Sequence, residues 1–259
     1  MRAAGQRHSR GTRASDRWRR GMAAVAMWMA AVAALAAEPG MQQALLKAIA
    51  AGDLDAARAA VTRGADLNAA GPFQRTPLHA AAKGVATPLL EWMLVQGANP
   101  DARDGDGRTP LHLANQTSAA ILLRHQADAR LTDRQGNTAL HVAAEDSRGM
   151  CRLLVHAGVP VNARNRSGLT PLHFAVLAGK TQVAEELVAL GADVNARTVA
   201  GYSYKPSFVG WDVQGMESGV PAGATPVSLA RQQHRKNRWV SGDRYAELAE
   251  YLISKGAAE

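Results

Sequence analysis

One cysteine, Cys151, stands in 259 residues. A single thiol excludes an intramolecular disulfide, so packing alone must hold the fold together. Its setting, "GMCRLLVHAG", reads as the apolar face of a helix, which makes it a buried, inert thiol rather than a nucleophile. Metal-ligand spacings such as H-E-x-x-H or C-x-x-C are missing, and so are G-x-S-x-G and a glycine-rich phosphate loop. No catalytic residue, no cofactor-binding residue, no metal ligand and no cofactor is therefore expected, and the chain reads as non-enzymatic. Aromatics are scarce as well, at 5% of the chain, yet Tyr202, Tyr204, Phe208 and Trp211 crowd into "YSYKPSFVGW".

The net charge of +8 first suggests a polyanionic partner. Its location argues otherwise. Seven Arg and one Asp lie in residues 1–37, leaving 23 basic and 21 acidic residues in the remainder. A nearly balanced body lacks the clustered cations that phosphate-backbone binding needs, so no nucleic-acid partner is expected.

The first 36 residues carry an Arg-rich start, the apolar run "GMAAVAMWMAAVAAL" and small residues around Ala34 and Ala36. That order suits a secretory signal cleaved after Ala36, leaving residues 37–259 as the mature domain in the periplasm or outside the cell. An uncleaved inner-membrane anchor is the alternative, since the run falls only a little short of a span of ~20 residues. Export by the general or the twin-arginine route stays open, the latter suggested by Arg19-Arg20.

Self-comparison gives the organisation. Thr76-Pro77-Leu78-His79 returns as Thr109-Pro110-Leu111-His112, Thr138-Ala139-Leu140-His141 and Thr170-Pro171-Leu172-His173, with a degenerate Thr225-Pro226-Val227-Ser228. A second signature closes each unit, as in "GADLNA", "GANPDA", "GVPVNA" and "GADVNA". Each Thr is placed to cap a helix and each Pro to occupy its first turn. The glycine of the second signature suits a left-handed helix stop. Each predicted helix pair carries apolar residues it cannot bury alone, so the units must stack into a solenoid.

These motifs identify the chain as resembling the ankyrin repeat family, specifically an exported bacterial member. "TPLHFAVLAGKTQVAEELVALGADVN" carries the resemblance most completely. It implies an all-α solenoid of about six helix-turn-helix repeats with finger loops, spanning about 41–71, 74–104, 107–134, 136–166, 168–198 and 223–259. It also implies protein binding through the concave face and fingers, by a monomer, to a partner whose identity the motifs do not give. In this family the repeated histidine hydrogen-bonds within its turn, so His79, His112, His141 and His173 are expected to be structural. His125 and His156 fall at ends of second helices, where they suit the helix terminus. Asp101, Asp104 and Asp106 read as a polar turn, because the twelve-residue calcium pattern is incomplete.

Departures from the repeat single out the candidate site. From Asn68, Asp101, Arg130 and Asn162 the next unit's Thr lies eight residues on, but from Asn195 it lies thirty. The extra 22 residues place an insertion at 199–223, whose Tyr202, Tyr204, Phe208 and Trp211 are candidate partner anchors. Folding back onto the solenoid is the other reading. A second insertion, His234 to Asp243, is expected as a loop, with Arg235, Arg238 and Trp239 as further partner-binding candidates. A small-ligand or enzyme pocket under the 199–223 insertion, and a membrane-anchored scaffold, remain as alternative functions.

Overall fold

The four T-P-L-H-type tetrapeptides each start a helix in the same way. In the computed structural model, Thr170 caps the helix at Pro171, and its backbone N–H and hydroxyl both point at Nδ1 of His173, at 3.1 and 2.8 Å. Thr76, Thr109 and Thr138 repeat this with His79, His112 and His141. Because Nδ1 accepts from an amide, the ring proton sits on Nε2, and that group reaches into the next repeat. His79, His112, His141 and His173 bond the carbonyls of Arg108, Asn137, Leu169 and Ala224, at 3.0, 3.0, 3.1 and 3.3 Å. Each acceptor is the residue just before the next repeat's Thr. The imidazole expected to stabilise its own turn thus also joins its repeat to the following one.

The structure describes residues 40–84, 86–199, 202–204, 218–241 and 243–258; the expected signal segment, 1–36, lies outside them. Six helix pairs follow one another: α1 Met41–Ala51 with α2 Leu54–Thr62, α3 Pro77–Lys83 with α4 Thr87–Val95, α5 Pro110–Leu113 with α6 Gln116–Arg124, α7 Ala139–Ala143 with α8 Arg148–His156, α9 Pro171–Leu177 with α10 Thr181–Ala189, and α11 Pro226–Ser241 with α12 Arg244–Ser254. First helices pack on first helices of the neighbouring repeat and second helices on second, giving the expected solenoid. Leu78, Leu111, Leu140, Leu172 and Val227, all at the third position of the tetrapeptide, are fully buried. Cys151 is buried in the same core, and loss of solvation pushes its thiol up to about 12, which keeps it protonated near neutral pH. Among the described residues no helix is long and apolar enough to cross a membrane.

Both ends of the array are finished by side chains. Between repeats, Asn68, Asn162 and Asn195 accept the backbone N–H of Asn99, Asp193 and Ala258 and donate to the carbonyls of Gly97, Gly191 and Gly256. The first repeat receives no such asparagine. Its own Gln42 takes that place, accepting from the Asp66 N–H and donating to the Asp66 carbonyl, both at 3.0 Å. In the sixth repeat Ser228 replaces the histidine and makes only the local cap with Thr225.

Two sequence expectations change. The segment from His234, expected as a loop, instead continues α11 to Ser241, more than two turns beyond the seven residues of α3 and α9. Gln232, Gln233, Arg235 and Lys236 are good helix formers, and no Gly or Pro intervenes before Gly242. The helical solenoid also gains a small antiparallel hairpin, β1 Tyr202–Tyr204 with β2 Ser218–Val220, pairing Tyr202 with Val220 and Tyr204 with Ser218.

One finger position demands a left-handed backbone. Gly168 holds φ +74°, and a Cβ there would come within 2.9 Å of the Val199 amide nitrogen. Gln74 occupies the same register in the first finger at φ 57°. Opposite effects are therefore expected in urea titrations: Gly168→Ala should cost about 1–3 kcal/mol, while Gln74→Gly should add up to about 1 kcal/mol.

Candidate protein interface

The second, third and fourth fingers are tight turns, each closed by a short polar side chain. Asp104 Oδ1 accepts the N–H groups of Asp106 and Arg108, Asp133 those of Gln135 and Asn137, and Asn165 those of Ser167 and Leu169. Asp104 is buried. Its carboxyl lies below the usual range because burial, which would raise it, is outweighed by the Arg108 and Asp106 N–H groups and the guanidiniums of Arg108 and Arg75. The acidic run read as a polar turn is therefore a polar turn, with its charge committed to holding the finger.

Successive fingers are hydrogen-bonded to one another at their tips. Gly105 donates to the Phe73 carbonyl, Arg134 to Asp106, Arg166 to Gln135 and Val199 to Ser167, over 2.6–3.1 Å. The tips therefore form one continuous edge. Straps reinforce it: Arg103 donates to the Thr132 carbonyl at 2.7 Å, and Arg164 to that of Arg197.

The fifth finger obeys the same rules in spite of its length. Thr198 stands where Asn165 stands in the fourth, donating to the Ala224 carbonyl at 3.1 Å, while Gly223 donates back to the Thr198 carbonyl at 2.8 Å. Its hydroxyl donates to Pro221 and accepts from the Ala224 N–H. Gly223 has φ +73°, matching Gly168. The insertion is thus a graft at the finger tip between Val199 and Gly223, and it leaves the sixth repeat in register. β1 and β2 extend that tip as a hairpin.

Of the aromatic candidates, Tyr202 and Tyr204 lie on β1, and Phe208 and Trp211 fall outside the described residues. Arg235 is exposed on α11, which also carries Arg238 and Trp239. The structure thus separates the candidates into two groups, one on the fifth finger and one on the helical extension of the last repeat. A further residue went unnoticed in the sequence. Phe73, at the tip of the first finger, is 80% exposed and has φ 57°, followed by Gln74 with the same angle. Aligning the fingers would have revealed it, because Asp106, Gln135 and Ser167 hold the equivalent position in the other repeats.

A groove lies between the second helices, lined by Gln116, Arg148, Arg152, His156 and Glu186. Arg152 grips the Glu186 carboxylate with two bonds, 2.7 and 2.9 Å long, and Arg148 stands at 3.6 Å. The Arg152 bond holds Glu186 below its usual range. This arrangement joins repeats four and five, and the groove lies away from the fifth finger. No group of three or more His, Cys, Asp or Glu side chains suited to a metal occurs among the described residues.

A family profile described as ankyrin repeats in three copies matches residues 45–122, 83–165 and 114–198, together more than half of the chain. The chain belongs to the ankyrin repeat family. It is 31% identical over 166 residues to Rabankyrin-5 of Homo sapiens, covering 48% of this chain and 14% of that protein. It is 42% identical over 110 residues to neurogenic locus notch homolog protein 4 of Homo sapiens, covering 40% and 6%. A palmitoyltransferase of Lachancea kluyveri is 30% identical over 158 residues, covering 57% and 21%. This chain therefore spans only about a fifth or less of the length of these relatives. Ankyrin repeats are a protein–protein interaction module.

Proposed function

We propose that this ankyrin repeat protein is exported to the periplasm after cleavage at Ala36 and acts there, as a non-enzymatic monomer, by binding a protein partner. Its concave face and fingers form the binding surface, and the extended fifth finger gives it selectivity. Scaffold, inhibitor and envelope-stress accessory are the roles this fits. The observation that carries the reading is the graft at Thr198 and Gly223. A 22-residue extension that keeps the finger's backbone bonds at Thr198, Val199 and Gly223, and concentrates aromatics in a chain poor in them, suits a contact with something else.

Replacing Tyr202, Tyr204, Phe208 and Trp211 together by Ala is expected to abolish capture of the native envelope partner while thermal stability stays unchanged. Unaltered capture, or a large fall in melting temperature, would refute the role of the insertion. N-terminal sequencing of protein from fractionated cells tests export: a start at Ala37 in the soluble periplasmic fraction supports cleavage, and a retained N-terminus in the membrane fraction replaces it with an anchored scaffold.

A further inference from the structure

We propose that the linked finger tips form a docking ledge for an extended acidic segment of the partner, with Arg134 and Arg166 binding its carboxylates and with Phe73 and Val199 meeting apolar side chains at its two ends. The inference rests on the binding role proposed above and names the chemistry of the ligand.

Phe73 is the first support. Its carbonyl is pinned by the Gly105 N–H at 2.6 Å, and the turn holds two successive non-glycine residues at φ 57°. A left-handed backbone is unfavourable for each such residue, because its Cβ crowds the following carbonyl. Folding gains little from that cost, because the ring stays 80% exposed. A strained backbone that presents an aromatic to solvent points to a contact made outside the chain. Val199, 64% exposed, ends the same hydrogen-bonded row at the fifth finger.

The cations between them are the second support. Arg134 and Arg166 occupy one register in consecutive fingers, both exposed. Their stems cross the preceding finger where glycine leaves room: a Cβ on Gly107 or Gly136 would lie 3.1 or 3.2 Å from the Arg134 or Arg166 Cγ. Neither guanidinium has an ion-pair partner among the described residues. The acids nearby are engaged: Asp106 binds Arg108, and Asp133 accepts from Gln135, Asn137 and the Asn137 side chain. From Asn162 to Leu169 the fourth finger has Arg164 and Arg166 and no acid at all. Along the five tips the order is apolar, then a second finger whose Asp106 is paired with Arg108, then cationic, cationic and apolar, which complements a peptide with apolar ends and an acidic middle. Four steps between repeats, each of roughly 8–10 Å, match an extended segment of about twelve residues.

The test uses a fluorescein-labelled peptide of about that length, alternating Glu and Ser with Leu at both ends, and anisotropy with the purified full chain. Wild type is expected to bind it, and to bind the Gln-for-Glu peptide at least tenfold more weakly. Arg134→Glu with Arg166→Glu should weaken binding more than tenfold, and Phe73→Ala several-fold, with circular dichroism and melting curves unchanged. Should the charge reversal disturb folding, Arg134→Gln with Arg166→Gln gives the same comparison. No binding by wild type, equal binding of the Gln peptide, or indifference to the arginine substitutions overturns the proposal. So does equal competition by oligo-dT or by phosphatidylglycerol vesicles, which would mark a general polyanion surface. If the peptide results fail while the fifth-finger aromatics still control capture of the native partner, this inference falls and the binding role stands. If no native partner is captured but the peptide results hold, the reverse is true.

Discussion

Between pH 6.5 and pH 4 the solenoid is expected to lose roughly 6 kcal/mol of stability through His141 and His173 alone. Burial lowers both imidazoles from the ordinary 6.5 to about 4, more than the Leu169 and Ala224 carbonyls on their Nε2 groups raise them. Protonating Nδ1 would also place a second N–H against the amide of Thr138 or Thr170, which already donates there. The unfolded chain takes up these protons near pH 6.5 and the folded chain only near pH 4, so the unfolded state binds more protons throughout that window. The contribution is complete above pH 6.5, falls as the pH drops, and is exhausted below pH 4. Asp133, from the third finger, favours the charged form of His141, while His112 opposes it, and neither offsets burial. His79 and His112 shift in the same direction. Asp104 and Glu186 are lowered carboxylates, whose contributions remain intact above the ordinary 3.8 and 4.5 and disappear only below them. Since a domain's whole stability is about 5–15 kcal/mol, most of the array should unfold before pH 4. Urea titrations at half-unit pH steps measure this. His141→Ser, which copies the local cap of Ser228, should reduce the slope, and a flat profile from pH 6.5 to 4.5 would refute the account.

Deleting residues 201–222 is expected to leave a folded protein that no longer captures its partner. The deletion joins Thr198-Val199-Ala200 to Gly223-Ala224-Thr225 and restores the eight-residue spacing of the other four fingers. The turn already exists, because the backbone bonds between Thr198 and Gly223 and Ala224 are those of a short finger. Burial of Val220 is lost, costing roughly 2 kcal/mol. Shortening the connection from thirty residues to eight returns about 1 kcal/mol of closure entropy. A melting temperature within a few degrees of wild type, together with absent capture, is the expected pair of results. Collapse of the fold would show instead that the insertion is part of the solenoid's own packing.

How much of this could be read in the residues depends on the distance over which each interaction acts. Thr170, Pro171 and Gly191 act within a turn or two of chain, so their pattern revealed the helix starts and stops directly. The graft at 199–223 was legible because four constant spacings exposed a fifth that differed. The reach of His173 to Ala224 was not, since 51 residues separate them and only stacking brings them together. Comparison with the shorter repeats suggested a loop at His234, but local helix propensity prevailed where no neighbour constrained the length. Phe73 was legible only against the polar Asp106, Gln135 and Ser167 at its register in the other fingers, and its exposure and left-handed backbone come from the structure.

The direction of the histidine bonds sets an order of opening. Each of the four repeated imidazoles holds the repeat that follows its own, and the first repeat carries none. Detaching the sixth repeat breaks the bond of His173 to Ala224, whereas detaching the first breaks no imidazole bond. Thermal fluctuations should therefore fray the array from its amino-terminal end, leaving the stretch from Thr76 to the grafted finger as the last part to melt.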